Sequence, residues 1–445
     1  MQKDFVLVSV ASLCVMVASS SVNSQVAGRN GQRVAIRAAR LIDGKSETVL
    51  KNAVVLVEGE KITAVGSQVT IPRDAEVIDL GDATLLPGLI DAHTHLLTEM
   101  DGTNEVLREN YLRIVSTQST AERALLGAKL RREDLEAGIT TVRDVGNSGM
   151  NGDVALRRAF QRGWLPGPRM VISTRALAAQ GGQFGRMTPA AQSLIEEEYV
   201  TIRGAESARQ AVRQALYDGA GCIKVIVNGT PANVTLEEMK AIVEEAHTAG
   251  VKVAAHAIGV KATTIAAEAG VDSIEHAYTV SDDTLKMMSA KHIYLVPTDG
   301  TLQTFEDLSF GTRQPSAEER SSLEKEYKPF VEEEQERLKR AMKMGVPIAA
   351  GSDMYYSIPG KTRGQASLLV YEAYQEAGMT PMEIIHAATG NAAELLGMQE
   401  RVGTLETGKL ADIIGVPGDP LQDVKALEHA KFVMKGGTVV VNNKR

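Results

Sequence analysis

Four histidines and one aspartate stand where apolar segments of the chain end, and these residue types can bind metal ions. His93 and His95 are separated by one residue, and alternate residues of a strand point to the same side. Two imidazoles in that arrangement can converge on a single ion. Later apolar segments end at His256, His276 and Asp353. Four imidazoles and a carboxylate suit a borderline ion such as zinc, so the sequence predicts a metal site.

Lys224 is a further candidate functional residue, because it lies inside the apolar run Gly221–Val227. A charged lysine there is unfavourable unless it is paired or neutralised. In one interpretation its ammonium group reaches a carboxylate at the end of the strand. In the other, a neutral amine captures CO2 and becomes a carbamate, whose two oxygens and negative charge could bridge two cations. The four nearby histidines favour the bridge.

Strands and helices alternate through residues 88–399, and the metal-ligand candidates fall at the carboxyl ends of the strands. The predicted strands are Leu85–Asp91, Thr140–Asp144, Arg169–Ser173, Cys222–Val227, Val251–His256, Ser273–His276, Ile293–Val296 and Pro347–Gly351. Helical patterns between them include Leu236–Ala249 and Ala262–Ala269. This order predicts an α/β fold, a (β/α)8 TIM-type barrel, in which active sites form at the C-terminal strand ends. A doubly wound open sheet is the alternative.

Short apolar runs separated by glycine turns occupy both ends of the chain, in residues 33–87 and 400–445. Two β-rich ends around a long α/β middle predict a small composite β-sandwich domain built from both termini. The metal-dependent hydrolase barrel would then comprise residues 88–399.

Two long connections interrupt the predicted barrel. The segment Thr174–Arg203 has little periodicity and is predicted to form a mobile loop above the site. Residues 316–343 have the pattern of a charged helix. Its charge run, Glu332–Glu334 followed by Arg337, Lys339 and Arg340, is predicted to form a solvated face.

Composition and the first residues limit the protein's partners and location. The charge of 48 − 56 = −8 and the aromatic content of 4% argue against a nucleic-acid binder. Residues 1–24 have the form of a signal peptide that ends near Ser24–Gln25, and their apolar run is too short for a stable membrane span. Cys14 lies in that segment, which leaves Cys222 as a lone thiol. We therefore expect a secreted protein, located in a bacterial periplasm.

Together these motifs resemble the amidohydrolase superfamily, specifically the imidazolonepropionase-like branch that includes Xaa-Pro dipeptidases, related carboxypeptidases and ochratoxin-hydrolysing amidases. The resemblance covers nearly all of the chain after the signal segment. The segments that carry it are Leu86–His95, Gly138–Asp144, Ile223–Val225, Ala255–Ala257, Ile274–His276, Gly351–Asp353 and Gly403–Asp412. Relatives often have Gly-Gly-His where this chain has Gly181-Gly182-Gln183.

The resemblance implies two divalent metal ions, expected to be Zn2+. One would be held by His93, His95 and Asp353, and the other by His256 and His276. Carboxylated Lys224 and a hydroxide would bridge them. Asp353 would also carry the proton from the attacking hydroxide to the departing amine. The implied reaction is hydrolysis of an amide in a dipeptide, an N-acyl amino acid or an ochratoxin A-like compound, by a homo-oligomer such as an octamer.

Two other functions remain open. A mononuclear metal-dependent deaminase or imidazolone-type cyclic amide hydrolase would use the same histidines and Asp353 without Lys224 as a bridge. A non-catalytic structural homologue should have lost metal ligands, whereas all of them remain in this chain. The candidates for holding a substrate carboxylate are Tyr278, Asn228, Tyr355 and Arg363.

Overall fold

A computed structural model describes residues 31–101, 107–229 and 232–443 of the chain. The predicted signal peptide, residues 1–24, lies outside the described residues, and so do Cys14 and the expected cleavage site. Among the helices that the structure describes, none combines the length and the apolar character needed to cross a bilayer.

The secondary structure consists of short strands and of helices from six to 27 residues long. The strands are β1 (Arg33–Ile42), β2 (Val49–Glu58), β3 (Lys61–Gly66), β4 (Glu76–Asp79), β5 (Ala83–Pro87), β6 (Leu89–Thr94), β7 (Met100–Asp101), β8 (Ile139–Asp144), β9 (Arg169–Ile172), β10 (Ala176–Ala178), β11 (Tyr199–Thr201), β12 (Cys222–Ile226), β13 (Lys252–Ala257), β14 (Ser273–His276), β15 (Tyr294–Val296), β16 (Tyr356–Ser357), β17 (Ile413–Pro417), β18 (Phe432–Lys435) and β19 (Thr438–Asn442). The helices are α1 (Leu107–Thr117), α2 (Thr120–Glu136), α3 (Gly152–Gln161), α4 (Gln192–Glu198), α5 (Ala205–Asp218), α6 (Leu236–Thr248), α7 (Val260–Ala269), α8 (Asp282–Ala290), α9 (Leu302–Phe310), α10 (Ala317–Lys343), α11 (Arg363–Leu368), α12 (Val370–Glu376), α13 (Pro381–Ala387) and α14 (Gly390–Leu395).

Strands from both ends of the chain form one mixed sheet. Its order is β19-β18-β17-β5-β1-β2-β3, with β4 paired to β1. Apolar side chains from both ends, including Ile36, Val55, Ile413 and Phe432, share a single buried core against this sheet. Burying them together gives the two chain ends a common hydrophobic driving force.

Parallel strands fill the middle of the chain, in the orders β6-β8-β9 and β11-β10-β12-β13-β14-β15. Backbone hydrogen bonds connect the two sheets: Gly221 N donates to Ile172 O at 2.8 Å. The helices between the strands provide the crossover connections that parallel pairing requires. The middle of the protein is therefore an α/β fold with parallel sheets.

The segment 347–350 lies between β15 and β6, although only an isolated bridge marks the predicted strand Pro347–Gly351. Leu295 N donates to Pro347 O at 2.9 Å, on the β15 side. Ala92 N donates to Ala350 O at 2.8 Å, on the β6 side. This segment therefore joins the last strand of one parallel sheet to the first strand of the other.

The predicted strand Leu85–Asp91 is wrong as one element, because the chain changes sheets at Gly88. Before it, β5 pairs with β17 of the mixed sheet, and after it, β6 pairs with β8 of the parallel sheet. A Cβ atom at Gly88 would lie 2.2 Å from Thr140 Oγ1, so only glycine permits this close approach.

The segment predicted to be a mobile loop, Thr174–Arg203, contains β10, α4 and β11 together with two short 3-10 turns. Phe184 is fully buried, and its ring stacks on Tyr111 of α1 with a centroid distance of 5.1 Å. Tyr199 contacts the edge of the same ring at 5.6 Å. This segment therefore has a small apolar core of its own.

The charged helix is present as α10, but its charge run is divided between two environments. Glu332, Glu333 and Lys339 are exposed, as the prediction of a solvated face requires. That prediction is wrong for Glu334 and Arg337, which are only 2% and 1% exposed. These two residues are one helical turn apart, so the same face of α10 carries both into the interior.

Candidate metal centre

The four histidines predicted to bind metal lie together at the carboxyl ends of the parallel strands. His93 is in β6, His95 follows it, His256 is in β13, and His276 ends β14. The ring of His93 lies 5.4 Å from that of His95 and 5.0 Å from that of His276, between centroids. The rings of His256 and His276 are 4.7 Å apart. Residues that are 183 positions apart in the sequence, from His93 to His276, thus meet in one site.

Asp353 completes the group. Its Oδ1 atom is 2.9 Å from His95 Nε2 and 3.4 Å from His93 Nε2. His93, His276 and Asp353 offer ligand atoms that all lie within 4.8 Å of one another. Nevertheless, His93 Nε2 and Asp353 Oδ1 are buried without a hydrogen-bond partner. Buried polar atoms rarely lack a partner, and such atoms facing a common space fit a metal ion.

Burial determines the protonation of His93, His256 and His276. Desolvation, followed by the charge of Lys224, lowers the pKa of His256 to about 3. The same two causes lower the pKa of His93 well below its usual range. Desolvation and the neighbouring imidazoles do the same to the pKa of His276. The neutral form that results is the one that binds metal ions.

Lys224 lies on β12 and is 2% exposed. It pairs in register with Ala254, two residues before His256, so Lys224 and His256 point to the same side of the sheet. Among the described residues, no carboxylate is close enough to Lys224 to form an ion pair with it. Burial lowers the pKa of its amine to about 8, against the opposing charges of Glu275 and Asp353. Burial therefore makes the neutral amine more accessible at physiological pH than it is in an exposed lysine.

A buried arginine and glutamate orient His93, and neither was predicted from the sequence. His93 Nδ1 is 2.6 Å from Glu275 Oε2, and Arg143 Nη2 donates to Glu275 Oε1 at 2.8 Å. Arg143 Nε also donates to Ala92 O, next to His93. A proton on Nδ1 that faces Glu275 leaves Nε2 for a metal ion. The available signal was the presence of charged residues in the fully buried strands β8 and β14.

Asp91, which was also missed, joins the His93 strand to the Asp353 segment. Its Oδ1 accepts hydrogen bonds from His93 N at 3.1 Å and from Ser352 N at 2.9 Å. Its Oδ2 accepts from Ser352 Oγ at 2.6 Å. Asp353 N in turn donates to His93 O at 2.8 Å. These bonds hold Asp353 at a φ of 50°, an unusual value for a residue other than glycine.

Two of the residues predicted to hold a substrate carboxylate already have protein partners. The side-chain amide of Asn228 makes two hydrogen bonds with the backbone of Ile258: Nδ2 donates to Ile258 O at 2.6 Å, and Oδ1 accepts from Ile258 N at 2.9 Å. Arg363 is buried and donates to Met354 O at 2.7 Å and to Thr98 O at 2.8 Å. As substrate contacts both remain predictions, and their present partners compete with that role.

The other two predicted substrate contacts, Tyr278 and Tyr355, flank the histidines from two sides. The Tyr355 ring lies 5.7 Å from the ring of His95, and the Tyr278 ring lies 5.5 Å from that of His276. Tyr356 and Phe330 extend these two sides, at 4.6 and 5.1 Å from the respective tyrosine rings. All four aromatic side chains are partly exposed, so they form apolar walls beside the metal-binding atoms.

This α/β fold, with candidate metal ligands at the strand ends, agrees with a hydrolase that acts on carbon–nitrogen bonds. A model of the amidohydrolase family matches residues 84–440, and the chain belongs to that family. The resemblance seen in the sequence motifs is confirmed. Amidohydrolases are generally metal-dependent, which agrees with the His and Asp group described above.

Individual relatives lie within the branch that the motifs indicated. The chain is 30% identical to an ochratoxinase of Aspergillus niger over 465 residues, covering 95% of this chain and 91% of that protein. It is 28% identical to an imidazolonepropionase of Geobacillus kaustophilus over 430 residues, covering 89% and 91% of the two chains. The solved structure of a Xaa-Pro dipeptidase with methionine bound in its active site superimposes with a TM-score of 0.76, at 28% identity, over 92% of this chain and 100% of that one.

Proposed function

We propose that this protein is a binuclear metal-dependent amidohydrolase that cleaves the amide bond of a dipeptide or an N-acyl amino acid, including ochratoxin A-like amides. The observation that carries the proposal is the convergence of four imidazoles, Asp353 and an unpaired buried lysine at one set of strand ends. The ochratoxinase and dipeptidase relatives support an amide substrate.

We infer that the parallel strands close into a (β/α)8 barrel with the site at its C-terminal mouth. The bonds from segment 347–350 to both β15 and β6, and the bond between Gly221 and Ile172, support closure. A doubly wound open sheet would leave two strand edges without such bonds. Closure would bring all the ligand-bearing strand ends to one face.

In this proposal His93, His95 and Asp353 hold one ion, and His256 and His276 hold the other. Lys224, if carboxylated by CO2, would add a negatively charged carboxylate group that could hold both ions. The donor set of imidazole and carboxylate groups suits Zn2+. Two such ions, when bound, polarise a carbonyl group and lower the pKa of water.

Asp353 performs the proton transfer. Its side chain is 17% exposed and faces the histidines, so a carboxylate oxygen can reach both solvent and substrate. Asp353 accepts the proton of the attacking water as general base, and it then donates that proton to the departing amine as general acid. The bonds from Asp91 through Ser352 keep this carboxylate in place during both transfers.

The aromatic walls support a substrate with an apolar group on each side of the amide. Tyr355 and Tyr356 line one side of the site, and Tyr278 and Phe330 line the other. Partly exposed aromatic rings next to polar groups are typical of small-molecule sites, where they contribute area for apolar contact.

A single-ion cyclic amide hydrolase is the second candidate function. The imidazolonepropionase relative favours it, and so does the compact group of His93, His276 and Asp353, which could hold one ion without Lys224. The two functions differ in the number of ions per chain and in the form of the amide.

A hydrolysis screen with metal analysis of the same preparation tests the proposal. The substrates are dipeptides, N-acyl amino acids, ochratoxin A and imidazolone propionate, each assayed with and without a chelator. We expect chelator-sensitive cleavage of linear amides and two ions per chain. One ion with cleavage of the cyclic amide alone would establish the second candidate instead. Full metal occupancy without cleavage of any substrate would support a non-catalytic homologue.

The family resemblance also leads us to propose a homo-oligomer such as an octamer. Light scattering coupled to size-exclusion chromatography measures the molar mass directly. A mass near that of one chain would contradict this part of the proposal.

A further inference from the structure

The inward face of α10 places a buried arginine directly beneath the His276 ligand. Arg337 Nη1 donates to His276 O, and Nη2 donates to Asp299 Oδ1. Arg337 and Asp299 are only 1% and 6% exposed. A guanidinium with this little solvent access depends on these partners for its hydrogen bonds.

The contacts of Arg337 belong to a hydrogen-bond network around the imidazole of His276. Asp299 follows Thr298, and Thr298 Oγ1 lies 2.8 Å from His276 Nδ1. One guanidinium therefore fixes both the backbone of the histidine and the segment that carries the partner of its ring. Loss of this guanidinium would loosen the His276 side chain at both ends.

The backbone around this hydrogen-bond network adopts conformations that need support from neighbouring residues. The φ angles of His276, Ala277 and Thr298 are 68°, 52° and 62°. Side chains with a Cβ atom disfavour this left-handed region, and such residues persist where their surroundings hold them. The bond from Arg337 to His276 O lies in the middle of this stretch.

A separate arginine performs the same task for His93. Arg143 bonds Ala92 O, adjacent to His93, and Glu275, which in turn contacts His93 Nδ1. Arg143 and Arg337 come from different elements, β8 and α10, and their hydrogen-bond networks share no residue. The two proposed ions therefore have separate supports.

We propose that Arg337 is a positioning residue that sets the affinity of the ion bound by His256 and His276, and that it has little effect on the other ion. The inference rests on the proposed metal centre. Substitution of a group that orients a metal ligand typically weakens metal binding by about 10–100-fold.

The test measures metal content of the full chain across a chelator series, by inductively coupled plasma mass spectrometry. The variants are Arg337→Met, which keeps an apolar stem, and Arg337→Lys, which can satisfy one of the two partners. The control is Arg340→Met on the same helix, because Arg340 is partly exposed and bonds Asp282 and Val280 instead.

We expect one ion of Arg337→Met to bind about 10–100-fold more weakly while the other keeps the wild-type affinity. Arg337→Lys should recover part of the loss, and Arg340→Met should match the wild type. Two ions bound at wild-type affinity in Arg337→Met would overturn the inference, and so would equal weakening of both.

A second variant keeps the inference testable if Arg337→Met does not fold, as judged by circular dichroism. Asp299→Asn preserves the side-chain volume and weakens only the bond between Arg337 and the segment that carries Thr298. Wild-type affinity for both ions in Asp299→Asn would then overturn the inference. If the wild type itself binds one ion, the binuclear proposal fails separately. Weaker binding of that single ion by Arg337→Met would still support the positioning role, and unchanged binding would overturn it.

Discussion

At the residue scale, the site is prepared by what three of the four imidazoles contact through their Nδ1 atoms. The Nδ1 atoms of His93, His95 and His276 lie 2.6, 3.0 and 2.8 Å from Glu275 Oε2, Gly146 O and Thr298 Oγ1. Contacts of this kind fix the tautomer and the ring orientation before an ion binds. The proposed ligands therefore need little rearrangement to coordinate metal.

Asp353→Asn separates metal binding from proton transfer. An amide oxygen can still ligate an ion, but an amide cannot accept and return a proton. We expect at least one ion to remain and turnover to fall by about 10²–10⁴-fold, the usual scale of general acid–base catalysis. Steady-state kinetics and metal content from one preparation check this. Near-normal turnover at full occupancy would remove Asp353 from the proton-transfer role.

Lys224→Ala tests the proposed carbamate bridge. Without its oxygens and negative charge the two cations repel each other more strongly, so at least one ion and nearly all activity should be lost. Native mass spectrometry of the wild type should show an additional mass of about 44 Da, which acid removes. Lys252→Ala is the control, because Lys252 is exposed and pairs with Asp272.

Added formate or acetate provides a further check on Lys224→Ala, since a small carboxylate could occupy the space of the carbamate and restore part of the turnover. Two ions and a normal rate in Lys224→Ala would show that Lys224 is only a buried lysine of the strand.

At the scale of elements, a buried ionic cluster connects the segment 174–203 to the loop that follows β6. Glu198 of α4 accepts hydrogen bonds from Tyr111 of α1 and from Arg123 of α2. Arg123 Nε also donates to Leu97 O, two residues beyond His95, at 3.3 Å. The cluster thus connects three helices to the loop that carries a metal ligand.

Glu198→Ala should release this segment. The change leaves the Arg123 charge buried without its carboxylate, which typically costs about 3–5 kcal/mol. We expect faster cleavage within residues 174–203 in limited proteolysis and a lower midpoint of urea unfolding. Glu196→Ala, on the exposed face of the same helix, is the control and should behave like the wild type. Equal proteolysis of the two variants would contradict this role of the cluster.

At the scale of the whole molecule, an ion pair connects the mixed sheet to the parallel strands. Arg169 at the start of β9 binds both carboxylate oxygens of Asp412, at 2.8 and 2.9 Å. Asp412 Oδ1 also accepts from Gly436 N at 2.7 Å, in the turn between β18 and β19. One nearly buried carboxylate therefore holds three distant parts of the chain.

Asp412→Ala should lower the free energy of unfolding by about 1.5–3 kcal/mol, the range for charged hydrogen bonds. Chemical unfolding followed by circular dichroism measures this change. Asp79→Ala is the matched control, because its pair with Arg37 is about half exposed, and pairs of that kind contribute about 0–1 kcal/mol. Equal effects of the two substitutions would show that the Asp412 contacts do not couple the sheets.

Export of the whole molecule is tested by its mature N-terminus. A cleaved signal peptide predicts a chain that begins near Gln25 and contains Cys222 as its one thiol. Intact mass and thiol titration of protein exported from a bacterial host check both points. Soluble exported protein with residues 1–24 still attached would contradict the signal assignment.

Local patterns were sufficient to predict which histidines and which aspartate come together at the site and most of the strands that carry them. The strand Ser273–His276 has the predicted bounds, and the predicted strand Val251–His256 differs from β13 by one residue at each end. Because a short apolar run and the polar residue that follows it are adjacent in the chain, their relation does not depend on the rest of the fold. The same is true of the spacing of His93 and His95.

The tertiary structure decided which remaining polar groups are free and which support the ligands. The amide of Asn228 is bonded to Ile258, and Arg337 lies inside although its neighbours in the charge run are exposed. The hydrogen bond from Arg337 to His276 joins residues 61 positions apart. No periodicity specifies such pairings, because they follow from the packing of α10 against the strand ends. Helical spacing shows which residues share a face of α10, but only packing shows which of them are buried.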